Sequence, residues 1–308
     1  MNILIIGLGS IAKKHIEAIR KIDDNIKIYA LRTNQNTLTE NNVENVFNLD
    51  ELDIKIDFAI ISNPTNLHSK FIQILAEKRI PIFIEKPALH TLNNSDYLIN
   101  LVESNKIITY VACNLRFHPC IIFIKEFLKK EKKRINEVNV YCGSFLPDWR
   151  PGKDFRKIYS ANTNMGGGVH LDLFHELDYI SWLFGIPIKS HSIKRNVSSL
   201  NIDAIDYANY NLEYPNFTTN ITLNYYRKKP KRTFELLLED QTILIDLNKN
   251  CITDDSQNII YSTTDFKINQ TYNDQMKYFI NCLKQNIEPM NSLKESIEIL
   301  KIVLKNEQ

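Results

Sequence analysis

Gly7-Leu8-Gly9-Ser10-Ile11-Ala12 joins an apolar run over residues 3–6 to an amphipathic stretch over 11–22. The pattern predicts a strand that reverses on two glycines and opens a helix. Such a turn cradles phosphate. Glycine lets the backbone approach a pyrophosphate, the helix N-terminus supplies free N–H groups, and Ala12 keeps the helix close to the sheet. Gly7, Gly9, Ser10, Ile11 and Ala12 are therefore the candidate phosphate contacts of a dinucleotide. A second short stretch, Glu85-Lys86-Pro87, directly follows another apolar run that ends at Ile84. A lysine at the C-terminal end of a strand, in the same layer as a phosphate turn, puts a proton donor near a nucleotide cofactor. The conjunction carries more than either half alone.

Around these two stretches, residues 1–118 alternate strand-like and helix-like segments. Strands are expected over 2–7, 26–31, 45–47, 58–62, 81–84 and 107–112, with helices over 11–22, 67–78 and 95–104. Continuous apolar strands separated by helical patterns predict a parallel, doubly wound α/β sheet covered on both faces. After Pro119 the character changes. A helix over 121–132 leads to a strand over 138–143, an irregular polar-aromatic loop and a helix near 171–184. Alternating segments at 207–214, 218–226, 233–238 and 242–247 predict a meander of antiparallel strands with one wet face. Helices over 272–284 and 292–305 close the chain. The expected organisation is one domain over 1–118 and an α+β domain over 119–308, whose closing helices are able to pack back on the first.

The chain has 308 residues, long enough for two cores. Its 44% hydrophobic and 24% charged residues, with a net charge of +2, give no electrostatic reason to expect nucleic acid or an acidic membrane as partner. The first strand leaves no room for a signal peptide, and no apolar run reaches membrane length. Cys113, Cys120, Cys142, Cys251 and Cys282 are scattered, and nothing positions Cys113 and Cys120 as a redox pair. Reduced thiols in a cytoplasmic protein are the expectation.

About 20 residues past the glycine turn, an NAD-binding domain usually offers Asp or Glu to the ribose hydroxyls. This chain has Leu31-Arg32-Thr33-Asn34 there and no acid before Glu40. A carboxylate repels a 2′-phosphate, whereas Arg32 pairs with it through charge-assisted hydrogen bonds of about 1.5–3 kcal/mol. Arg32 and Thr33 therefore favour NADP(H) over NAD(H); the alternative is a solvated Arg32 beside the adenine.

Ligands of an open α/β sheet bind outside the carboxyl ends of its strands. Ser62-Asn63-Pro64-Thr65 with His68, Glu85-Lys86-Pro87 and Asn114-Leu115-Arg116-Phe117 fall at such ends. Asn63, Pro64, His68, Glu85 and Lys86 join the cofactor candidates, and Lys86 and Arg116 are candidate substrate contacts. Lys86, beside a nicotinamide, would protonate a carbonyl or take the proton of an alcohol, a role worth about 10²–10⁴ in rate. Farther on, Gly166-Gly167-Gly168 precedes Val169-His170-Leu171-Asp172-Leu173-Phe174-His175-Glu176-Leu177-Asp178. Three glycines before a helix allow close approach of backbone to ligand. Asp172 and His175, at i and i+3, would share one helix face and suit a substrate hydroxyl, the carboxylate orienting the imidazole. Residues 170 and 175 point apart on a helix and no third ligand follows at metal spacing, so no metal is expected. His15 is expected to be structural. The basic runs 125–134 and 227–232 read as a helix end and a hairpin turn around Pro230, both solvated.

These elements together resemble the glucose–fructose oxidoreductase/inositol dehydrogenase (Gfo/Idh/MocA) family over essentially the whole chain. The resemblance implies a Rossmann domain followed by a domain with an open-faced, mainly antiparallel sheet, through which copies form dimers or tetramers. It also implies a catalytic lysine at Lys86, with Asp172 and His175 at a sugar. Two features depart from the family pattern: many members space the Asp and His by four residues rather than three, and the acid after the second strand is missing. The loop over 146–156, with Tyr159 after it, resembles a subgroup encoded among surface-glycan and nonulosonate genes. It offers Trp149 as a platform for a sugar ring and Arg156, with neighbouring cations, to a phosphate or carboxylate. The plainer alternative is a packed Trp149, with the arginines paired to Asp148 and Asp154.

The expectation is thus an NAD(P)-dependent oxidoreductase acting on a secondary hydroxyl or keto carbon of a sugar or a phosphorylated, amino or nucleotide-linked derivative. Two other readings stay open. One is a redox-neutral glycosidase that holds NAD tightly; the other is a catalytically silent sensor that binds the nucleotide and a partner.

Overall fold

The structure, a computed structural model, describes residues 1–33, 40, 42–51 and 54–305. In chain order its elements are β1 (Asn2–Ile6), α1 (Ser10–Ile22), β2 (Lys27–Leu31), β3 (Val43–Val46), β4 (Phe58–Ile61), α2 (His68–Glu77), β5 (Ile82–Ile84), α3 (Ser95–Ser104) and β6 (Thr109–Val111). Then come α4 (Pro119–Lys130), β7 (Ile135–Phe145), α5 (Val169–Asp172), α6 (His175–Phe184), β8 (Lys189–Arg195), β9 (Tyr207–Glu213), β10 (Thr218–Asn224) and β11 (Tyr226–Leu238). The chain closes with β12 (Thr242–Asp246), β13 (Cys251–Thr253), β14 (Ile259–Ser262), α7 (Asn269–Gln285) and α8 (Leu293–Leu304). Two compact units result: Met1–Asn114 with Ile268–Ile297, and Leu115–Lys267 with Glu298–Gln308.

The first unit is built on a six-stranded parallel sheet in the order β3-β2-β1-β4-β5-β6. Its inner strands are unbroken apolar runs because helices cover both faces; Ile3, Leu4, Ile5 and all of β4 are fully buried. α1 turns Ala12, His15, Ile16, Ala18 and Ile19 inward and carries Arg20 and Lys21 in its last turn, where cations suit the helix dipole. α7 joins this unit from far along the chain. Phe279 meets Phe58 and Phe83 edge-on at 5.2 and 5.5 Å between ring centres. Asn114 donates to the Thr271 hydroxyl at 2.6 Å, and the Asn291 amide to the Val111 carbonyl at 2.8 Å. The sequence expectation is a cut at 118 with closing helices able to pack back on the first domain; these bonds gather 268–297 with Met1–Asn114. An amphipathic pattern shows that a helix covers a core but does not name which core.

The second unit holds an eight-stranded sheet ordered β14-β13-β12-β11-β7-β10-β9-β8, antiparallel except for the β7–β10 pair. Val138, Val140, Tyr210, Leu212, Ile221, Leu223, Phe234 and Leu236 fill its buried face. The other face is polar, with Asn211 donating to Asn220 at 2.8 Å. The basic run 227–232, expected to be a hairpin turn, lies inside β11. A register shift against β7 between Tyr226 and Lys231 absorbs Pro230, which lacks the N–H a regular ladder needs.

Two buried histidines tie this unit's stability to pH. Burial pushes the His118 imidazole down to about 4, and burial reinforced by the Lys194 charge pushes His170 down to about 3. Both lie below the ordinary value of 6.5, so between those limits the unfolded chain binds more protons than the folded one. Stability is complete above pH ~6.5 and is lost as the pH falls toward about 4, by about 3 kcal/mol for His118 alone. Thermal melts at steps from about pH 7.5 to about 4.5 should show Tm falling below pH ~6.5, and His118→Gln should flatten the slope. A Tm unchanged across that window would contradict the assignment.

Candidate functional site

The strand order reverses between β1 and β4, and the loops that follow these two strands meet there. Gly7 has φ +91°, and a Cβ on it would stand 2.5 Å from both the N and Cα of Asn63. Only glycine suits that position, on both counts. Ser62 closes the junction with a 2.8 Å hydrogen bond from its hydroxyl to the Gly7 carbonyl. Gly9 is the N-cap of α1, which has no side-chain cap and no acid in its first turn. A Cβ on Gly9 would meet nothing among the described residues within 4 Å. The first-turn N–H groups, from Ser10, Ile11 and Ala12 onward, therefore lie beside open space. Next to them the Asn63 Oδ1 is buried with no hydrogen-bond partner among the described residues. An uncapped helix start and room at Gly9 fit a dinucleotide pyrophosphate, while the orphaned Asn63 oxygen, an acceptor, suits a donor such as a ribose hydroxyl or an amide N–H; Pro64 lies exposed beside them.

Arg32 and Thr33 follow β2, where the Arg32 N–H is held by the Val46 carbonyl at 2.8 Å. Both line a cavity of about 580 Å³ together with Phe47, Lys70, Phe71 and Lys78. Lys78 is paired with Asp50 at 2.6 Å. Asn34 lies outside the described residues. Glu40, the first acid in this stretch, pairs with Lys13 of α1 at 2.7 Å.

Lys86 leaves the C-terminal end of β5, half-buried, through a cis peptide bond to Pro87. Its neighbour Glu85 is buried, with Oε1 2.6 Å from His15 Nε2 and Oε2 accepting the Lys86 N–H at 3.2 Å. His68 is also buried, with Nε2 3.0 Å from the Asn63 carbonyl and Nδ1 3.2 Å from the Ala88 carbonyl. Burial lowers its pKa, against the pull of those carbonyls. Both residues were expected to touch the cofactor. In the structure His68 ties the loop after β4 to the loop after β5, and Glu85 ties β5 to α1.

In the second unit, Asp172 ends α5 and His175 begins α6. Leu173, at φ −96° and ψ 34°, leaves the helix, and the Phe174 and Glu176 N–H groups reach back only three residues at 3.4 Å. The expected common face on one helix is therefore broken at the buried pair Leu173 and Phe174. The Asp172 carboxylate accepts a 2.5 Å hydrogen bond from the Tyr225 hydroxyl. Burial, reinforced by the Asp172 charge, pushes that phenol well above its ordinary range, which keeps it a donor. The Tyr225 ring meets Trp149 edge-on at 5.3 Å, and Trp149 Nε1 donates to the Ser144 hydroxyl at 2.9 Å. Trp149, 36% exposed, thus connects through Tyr225 to Asp172. Tyr225 is the residue sequence reasoning missed. The pair Tyr225-Tyr226 at a strand junction was visible, but not which ring turns inward. Arg156 is exposed, lies 4.0 Å from Asp154 and rests over the Phe155 ring.

Two expectations for this unit change. A Cβ on Gly167 would stand 2.2 Å from the Tyr159 carbonyl oxygen, so this glycine makes room for the chain's own loop rather than for a ligand. Arg116, expected to contact substrate, is fully buried and grips Asp178 with two bonds, Nε to Oδ2 at 2.9 Å and Nη2 to Oδ1 at 2.8 Å. Glu176 beside it is held by Arg232 at 2.6 and 3.1 Å. The first turn of α6 plants two carboxylates in the core, and each is answered by an arginine fork.

The sequence model of an oxidoreductase family with an NAD-binding Rossmann fold, Gfo/Idh/MocA, matches residues 1–113. The chain is 27% identical over 198 residues to a myo-inositol 2-dehydrogenase of Thermotoga maritima, which covers 61% of this chain and 56% of that protein. The chain spans a little over half the length of the curated relatives it matches. A solved myo-inositol 2-dehydrogenase from Lactobacillus plantarum has TM-score 0.80 at 19% identity, covering 98% of this chain and 95% of that one. A UDP-N-acetylglucosamine 3-dehydrogenase from Acidithiobacillus ferrooxidans has TM-score 0.79 at 15% identity, covering 99% and 95%. At such identities the likeness is one of fold, and it extends over both units. The glycine turn, the parallel strand order and the family match all fall in the N-terminal unit, so residues 1–113 are similar to the NAD-binding Rossmann domain of the Gfo/Idh/MocA oxidoreductases.

Proposed function

We propose that the protein is an NAD(P)-dependent oxidoreductase acting on a secondary hydroxyl or keto carbon of a sugar or sugar derivative. One observation carries the reading. The uncapped start of α1, the room at Gly9 and the orphaned Asn63 amide stand at the β1/β4 junction, and Lys86 follows on the next strand. The nicotinamide, when bound, supplies or accepts the hydride. Lys86 gives or takes the proton at the substrate oxygen. In the second unit, His175 anchors a hydroxyl or handles a second proton, Asp172 is held for the sugar by Tyr225, Trp149 offers a ring platform, and Arg156 an anion contact. Relatives that act on inositol and on a nucleotide sugar support a polyol or sugar substrate. The loop over 146–159 points to surface-glycan sugar synthesis, and the polar face of the second sheet to pairing of copies.

Arg32 favours NADP(H). Fluorescence titration of the purified protein, freed of co-purified nucleotide, should give a Kd for NADPH about tenfold below that for NADH, roughly 1.4 kcal/mol. Arg32→Ala should remove the difference. Equal or tighter NADH binding overturns the preference and leaves the oxidoreductase standing. Binding of neither overturns the oxidoreductase reading itself.

A further inference from the structure

We infer that His15 is a positioning residue for Lys86, acting through Glu85. The inference rests on the reading of Lys86 as the proton-transferring group. His15 lies on α1, the helix whose start faces the proposed phosphate site, and its side chain is fully buried. The ring meets Phe83 of β5 edge-on at 4.9 Å and Tyr272 of α7 at 6.0 Å. Its Nδ1 is buried with no hydrogen-bond partner among the described residues, while Nε2 lies 2.6 Å from Glu85 Oε1. A carboxylate only accepts, so Nε2–H is the donor.

A polar ring in this aromatic setting is a poor choice for packing alone. An apolar side chain would fill the same space without leaving a buried nitrogen unsatisfied. What the imidazole adds is a donor to Glu85. Glu85 is itself a buried carboxylate on the last turn of chain before Lys86, and its second oxygen takes the Lys86 N–H. Fixing one oxygen from α1 leaves the other to fix the direction in which the backbone leaves β5. The path α1–His15–Glu85–Lys86 thereby holds the phosphate turn and the proton-transferring group in one register. Displacement of a reacting group by only ~1 Å costs about 10²-fold in rate, so such a tie matters to chemistry more than to folding.

The test reads Lys86 directly and needs no substrate. Wild type, His15→Leu and His15→Gln are acetylated with limiting acetic anhydride, with and without saturating NADPH or NADH, whichever the titration selects. The rate at Lys86 is followed by peptide mass spectrometry, and Tm and cofactor Kd are measured alongside. Cofactor should protect Lys86 several-fold in wild type. His15→Leu should lose that protection at an unchanged Kd, and His15→Gln, which keeps an N–H donor within reach of Glu85, should restore it. Full protection in a folded His15→Leu overturns the inference. If His15→Leu does not fold, Glu85→Gln, which replaces one accepting oxygen with an NH2 group, should lose protection in the same way, and its retention overturns the inference. Absence of protection in wild type with cofactor bound is a different failure, because it removes the proposed role of Lys86 itself.

Discussion

Lys86→Ala is expected to lower turnover by about 10²–10⁴-fold while the Kd for the reduced dinucleotide stays within about threefold of wild type. The phosphate contacts proposed for the cofactor lie in the loops after β1 and β4, whereas Lys86 leaves β5, so removing its amine should spare binding. The same variant separates the readings that sequence left open. A sensor's partner binding should survive the change intact. A redox-neutral glycosidase would lose product formation without ever having shown net nicotinamide turnover. Steady-state rates and a binding titration on one preparation decide the matter, and turnover retained in the variant would remove Lys86 from the mechanism.

Arg116→Ala should act on the fold rather than on substrate affinity. It leaves the Asp178 carboxylate fully buried without its two-bond partner, a defect that costs about 3–5 kcal/mol. In a unit of this size that is a loss of roughly 10 °C in Tm. Replacing both partners, as Arg116→Met with Asp178→Leu, should recover much of the loss, because no uncompensated charge remains. If Arg116→Ala melts like wild type but raises KM, the guanidinium reaches substrate after all and the buried pair is not its role.

The comparison of these two residues shows what could be read from the chain alone. Lys86, in Glu85-Lys86-Pro87, and Arg116, in Asn114-Leu115-Arg116-Phe117, both lie just past short buried strands, and both looked like ligand contacts. Whether a cation at such a place stays half-buried or folds back on a carboxylate depends on Asp178, 62 residues further along the chain, and no local pattern carries that. The parallel sheet was legible because a strand covered on both faces must be apolar throughout. The glycine turn was legible because its chemistry is local. The α5–α6 break was not, since residues 171–178 keep a helical rhythm of apolar positions through it. Nor was the inward turn of Tyr225, which is a long-range packing outcome.

Gly7 and Gly9 sit two residues apart, yet they are answerable to different constraints. The polypeptide itself requires Gly7, whose hydrogen faces the Asn63 backbone. Nothing in the described chain requires Gly9. As an N-cap it is even a sacrifice, since Ser, Asn or Asp there would accept from the first turn and hold the helix more firmly. In a library of variants selected only for folding, position 7 should stay glycine while position 9 drifts toward those capping residues. Selection for turnover should hold both. The gap between the two libraries at position 9 would then measure, in the currency of sequence, what an occupant of the site demands of a protein that would be more stable without it.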